Sequence, residues 1–171
     1  MNAAQLYIET IKRADETLLK ALEGLTAEEL RAQPTGPGSN PIGWLVWHLT
    51  RTRDNIVAHF SEQPSLWEQE GWGARFGFEG EPPRFAPEDV HSFDPGSYET
   101  LAGYYRAVAE RTEKVVAGLT EGDLERMIPP QIAGRPAMKL GSRLGVILND
   151  NIQHIGQVAY LRGLLRGHGW F

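Results

Sequence analysis

The chain contains no cysteine. It can therefore form no disulfide, hold no zinc–thiolate site and offer no cysteine nucleophile, and its composition suits a reducing cytoplasm. No window approaches the about 18 consecutive apolar residues that a membrane span needs. The first residues, MNAAQLYIETIKRADETLLKAL, mix acids with bases and hold no apolar run of signal-peptide length. No basic cluster stands out, and the net charge is −5, so neither nucleic acid nor membrane is expected as a partner. Gly-x-Gly-x-x-Gly, P-loop and Gly-x-Ser-x-Gly patterns are missing too, which leaves nucleotide-dependent chemistry and serine hydrolysis unsupported. What remains is a soluble cytoplasmic protein acting on a small molecule.

The 171 residues, 41% hydrophobic and 23% charged, are enough for one domain with a sizeable core, spanning 1–171. Leu6, Ile8, Ile11, Leu18, Leu19 and Leu22 recur at helical spacing over residues 3–24. Thr26 followed by Glu29 in "GLTAEEL" is a capping-box pattern that starts a short helix. After a breaker cluster, Pro34 to Pro41, the residue types predict an N-cap at Ser39 or Asn40, Pro41 in the first turn, and a helix over about 42–60. Residues 61–95 hold five prolines and little periodicity, and predict a long loop with one short helix, of the kind that often binds or covers a ligand. A third helix is expected over 98–119 with Leu101, Tyr105, Val108, Thr112, Val115 and Leu119 on one side. "GLTEGDL" at 118–124 echoes "GLTAEEL" at 24–30, which on the residues alone is two independent caps. Residues 126–141 suit a looped or extended crossing, and a fourth helix should run from Ser142 to about Leu165, ended by Gly167 and Gly169. Four long amphipathic segments without convincing strands predict an all-α, four-helix bundle.

Chemistry concentrates in "NDNIQHIGQ" at 149–157. Asp150 and His154 lie at i and i+4, one turn apart on one helical face, and Gln157 continues that face. They border an expected core stripe of Leu144, Ile147, Asn151, Ile155, Val158 and Leu161 or Arg162. A carboxylate there is costly unless paired or metal-bound. Three roles suit the pair: a local ion pair, an acid and a base, or two ligands of one metal. A second histidine in an apolar setting, His48 in "GWLVWHLT", would complete a set of three. Two imidazoles and a carboxylate suit a catalytic zinc site or non-haem Fe(II), with positions open for water or substrate. His59 and His91 are expected in solvent and His168 in a glycine-rich tail. Trp67 and Trp72 either pack or line a ligand pocket.

These stretches also carry a resemblance. "SNPIGWLVWHLTRTRDN" (39–55), "LWEQEGWGARFG" (66–77), "GLTEGDL" and, most specifically, "LGVILNDNIQHIGQVAYLRG" (144–163) resemble the DinB/YfiT-like metalloenzymes, particularly their actinobacterial-type branch, over nearly the whole chain. The resemblance implies an up-and-down four-helix bundle built from two pseudo-symmetric helix pairs, which makes the repeated "GLT" caps equivalent. It implies a metal triad of His48, Asp150 and His154, with zinc or nickel as the divalent ion and Gln157 orienting a ligand. Many family members carry histidine where this chain has Asp150. Mycothiol-dependent maleylpyruvate isomerases carry a longer carboxylate there and are similar in this respect. The activities implied are thiol-dependent, with mycothiol or bacillithiol as cosubstrate, in a homodimer. Metal-assisted hydrolysis and a non-catalytic metal- or ligand-binding stress protein are the alternatives. No residue beyond the ligand set is assigned a catalytic role.

Overall fold

The computed structural model describes residues 1–78 and 87–168, apart from the side chains of Pro87 and His91. Four long helices form the frame: α1 (Ala3–Leu22), α3 (Ile42–Ser61), α7 (Tyr98–Ala117) and α9 (Leu140–Arg166). Short elements join them: α2 (Ala27–Arg31), α4 (Leu66–Gln69), α5 (Trp72–Arg75), α6 (Pro87–Ser92), α8 (Glu121–Glu125) and a hairpin of β1 (Met127–Ile128) with β2 (Met138–Lys139). The all-α bundle expected from the periodicity is present. Thr26–Glu29 and Thr120–Asp123 both form full capping boxes, so the two "GLT" segments start α2 and α8 in the same way.

Several local expectations differ. Pro41, not Ser39 or Asn40, is the N-cap of α3, and no side chain caps it; a fixed φ near the helical value suits proline to that boundary. Residues 61–95 contain three short helices among the described residues rather than one. Pro82 and Pro83 lie outside the described residues, as does Gly169; α9 ends at Gly167, whose φ of 72° is left-handed and favours glycine. Leu6 faces solvent at 58% exposure, because the buried stripe of α1 runs through Ala4, Tyr7, Ile11 and Leu18 instead.

Cross-helix contacts fix the topology. Lys12 pairs with Glu113 and Tyr105 donates to Asp15, so α1 and α7 are antiparallel. Arg162 donates to Ala21 O and Glu23 O near the shared end of α1 and α9, which run parallel. Arg51 and Asp54 meet Tyr104 while Arg53 meets Thr112, which makes α3 and α7 parallel. The connection from α3 to α7 therefore breaks the alternation once, as a crossover. Each of α1 and α9 neighbours helices of both directions, and α3 lies antiparallel beside α9. Close packing holds that frame: a Cβ added at Gly43 would come within 2.4 Å of Pro95, at the end of the crossover.

Three phenols are buried in the bundle: Tyr7, Tyr104 and Tyr105. Burial pushes the Tyr7 hydroxyl up to about 12 and raises Tyr104 and Tyr105 as well. In the unfolded chain a phenol ionises near pH 10, about. Below that value both states are protonated and the stability is fully present. Above it the unfolded state alone loses protons, so stability falls by up to about 1.4 kcal/mol per pH unit for each such phenol. Urea unfolding followed from about pH 9, where histidines are neutral, to about pH 11 should show a steady midpoint and then a steep decline that begins near pH 10. A midpoint unchanged across that range would mean the phenols ionise in place.

Candidate metal centre

The antiparallel contact of α3 with α9 places His48 opposite the Asp150–His154 turn. His48 sits between Trp47 and Leu49, both 2% exposed or less, while its own side chain is 22% exposed. Asp150 and His154 are similarly half-buried, and the stripe beside them is buried as expected: Leu144, Ile147, Asn151, Ile155, Val158 and Leu161. His48 Nε2 lies 3.8 Å from Asp150 Oδ1, and His154 Nε2 lies 3.5 Å from the same oxygen. The two imidazoles meet edge to face, with centroids 4.8 Å apart at 86°. One ligand atom from each residue lies within 4.8 Å of the other two, the one such group of three among the described residues.

These distances bear on the alternatives. They are longer than the about 2.7–3.2 Å of a direct hydrogen bond. Two ligand atoms each about 2.1 Å from one tetrahedral ion stand about 3.4 Å apart, close to the spacing here. Asp150 Oδ2 is buried without a hydrogen-bond partner, and an orphaned carboxylate oxygen of this kind is costly unless a cation offsets it. His154 Nδ1 lies 2.8 Å from Gln157 Oε1. With that amide oxygen accepting, Nδ1 carries the proton and Nε2 turns its lone pair towards Asp150. His48, Asp150 and His154 thus fit a divalent cation, with Gln157 orienting one ligand.

Charge follows the same pattern. Burial works to raise the Asp150 carboxyl, but interaction with His154 and His48 outweighs it and holds the group down to about 2. Asp150 raises His154, against burial and with help from Gln157. Protons therefore compete with a metal for His154.

The other candidates lie elsewhere. Trp67 and Trp72 are 7% and 6% exposed in an aromatic cluster with Trp47, Phe76 and Tyr104. His59 is half-buried rather than in solvent, with Nε2 3.0 Å from Pro129 O; the loop after β1 folds back over the end of α3. His91 falls in α6 rather than a loop, and its side chain lies outside the described residues. His168 is exposed beyond α9.

Two features were missed from sequence. Arg53 and Asp54 are fully buried polar residues at the His48 helix's centre; the place of Arg53 in the Leu49, Arg53, Ile56, Phe60 series, and of Asp54 in the Thr50, Asp54, Val57 series, was the available signal. Arg143 lies on the Asp150 face seven residues earlier, two turns of helix, and opens on a cleft described below.

A four-helix bundle with a His–Asp–His set between two of its helices is a defined class, and sequence comparison supplies the family. The chain belongs to the DinB superfamily, whose sequence profile matches residues 10–158. It is similar to a conserved protein from Enterococcus faecalis of known crystal structure, with 26% identity and a TM-score of 0.85 over 98% of this chain and 99% of that one. No curated protein matches the chain significantly. Among the described residues no helix is long and apolar enough to cross a membrane.

Proposed function

We propose that this chain is a metal-dependent enzyme that transfers a low-molecular-weight thiol, of the mycothiol or bacillithiol class, to an electrophile. It would stand with the metalloenzyme members of its superfamily. The observation that carries this reading is the convergence of His48, Asp150 and His154, with Asp150 Oδ2 buried and unpaired. Three ligands leave coordination positions open, as catalytic sites require. Bound there, a zinc or nickel ion would act as a Lewis acid and lower the pKa of a thiol or water at an open position.

The chain's own residues do the rest. Asp150, ionised far below neutral pH, supplies the negative charge. Gln157 fixes the tautomer of His154, and the buried flanks of α3 and α9 keep the three side chains in register. With no cysteine in the chain, the sulfur must come from outside.

An activated haloarene tests this. Metal-loaded protein should form the thioether and release halide only when the thiol is present, and chelation should stop it. Phenol formed without thiol would point to hydrolysis by water. No turnover with either nucleophile would favour a non-catalytic binder.

A further inference from the structure

A cleft of about 500 Å³ opens along the α3–α9 groove, one turn from the triad on both helices. Thr52, four residues after His48, and Val146, four before Asp150, stand on its near side. The loop between β1 and β2 forms its far wall. Ile56, Ile132, Met138 and Val146 give it an apolar surface. Its charged lining is of one sign: Arg135 and Arg143, with no acidic side chain. That is unexpected in a chain with 22 acids against 17 lysines and arginines.

Arg143 is held in place without being neutralised. Its guanidinium donates to Gln131 Oε1 and lies 4.0 Å from Met138 Sδ, both uncharged. Gln131 is itself fixed, since its Nε2 donates to Asn55 O at 2.9 Å. Burial pushes the Arg143 guanidinium below its ordinary value. Among the described residues no carboxylate pairs with Arg143 or Arg135. A half-buried, positioned cation without a counter-ion is suited to a carboxylate from outside, which arginine recognises through paired N–H donors.

We infer that this cleft binds the substrate, and that the substrate is an apolar molecule ending in a carboxylate held by Arg143. The part about the reacting centre rests on the metal-dependent reading above; the anion site does not. Arg143 precedes Asp150 by seven residues, which is about 10 Å along a helix axis. The reacting carbon therefore lies about eight bonds from the carboxylate, which matches that span.

Calorimetric titration of the full chain with octanoate and with neutral octanamide tests the inference. Octanoate should bind, and octanamide should bind about tenfold or more weakly, the effect of losing one charge-assisted pair. Arg143→Gln should weaken octanoate by a similar factor and leave octanamide unchanged, while Arg143→Lys should recover part of the loss. Metal content, measured on the same samples, should not change. Equal affinity for acid and amide would overturn the inference, even if Arg143→Gln failed to fold. So would octanoate binding that disappears on chelation, because the carboxylate would then sit on the metal. Protein that binds octanoate but never metal would keep the anion site and end the metal reading.

Discussion

The His48→Ala protein is expected to carry no stoichiometric divalent metal when purified without chelator or affinity tag, whereas the unaltered chain carries one ion. The loss would be produced by a residue far from Asp150 and His154 in sequence, brought to them by the antiparallel contact of α3 and α9. Asp150 and His154 alone offer two ligands from one helix turn, and open catalytic sites use three. An ion that binds only the folded state stabilises it by about 2.7 kcal/mol at a hundredfold excess over its dissociation constant. Metal-dependent stabilisation should therefore vanish with the occupancy. Elemental analysis and paired thermal melts, with and without added zinc or nickel, read the two effects separately. Full occupancy in His48→Ala, with loss only in Asp150 or His154 variants, would dismiss the three-ligand site. An unaltered protein that takes up no metal near neutral pH would make the set a plain ion pair.

The last helix was legible because one periodicity carried both its core and its chemistry. The stripe of Leu144, Ile147, Asn151, Ile155 and Val158 is buried as its spacing requires, and Asp150 and His154 fall beside it by the same arithmetic. The capping boxes were legible for a similar reason, since Thr26 with Glu29 closes on itself within four residues. What stayed hidden depends on partners from other elements. The crossover after α3 reverses no local pattern, so the parallel run of α7 beside α3 could not be read from either helix. Arg143, near the start of α9, takes its partner Gln131 from the hairpin loop, a contact that no spacing within the helix foretells. The short helix α4 is held partly by a carboxylate twelve residues upstream, a cap that no local rule anticipates.

That carboxylate carries the largest expected effect on stability. Asp54 is 1% exposed, and Oδ1 accepts from Leu66 N at 3.0 Å. Oδ2 accepts from Trp67 N at 3.0 Å and from the Tyr104 hydroxyl at 2.8 Å. Arg51 and Arg111 stand 3.7 Å away on either side. One side chain thus ties α3 to the start of α4 and to α7, and holds Trp67 beneath the Arg51 guanidinium at 4.6 Å. Asp54→Ala would leave two buried N–H groups and a buried hydroxyl without an acceptor, beside two cations without their anion. Each unsatisfied group costs about 1–3 kcal/mol, and breaking a buried charge cluster typically costs about 3–5 kcal/mol. The expected loss is about 4 kcal/mol, which for a domain of this size lowers the melting temperature by about 10 °C. Asp54→Asn keeps one acceptor oxygen and should fall between the two. Because the triad rests on α3 and α9, metal stoichiometry should survive in whatever fraction stays folded, while Trp67 fluorescence changes. Urea unfolding read by circular dichroism and by tryptophan emission measures both. A loss below about 1 kcal/mol would place the Asp54 network among ordinary surface contacts and leave the packing of the 62–78 segment to its aromatic side chains alone.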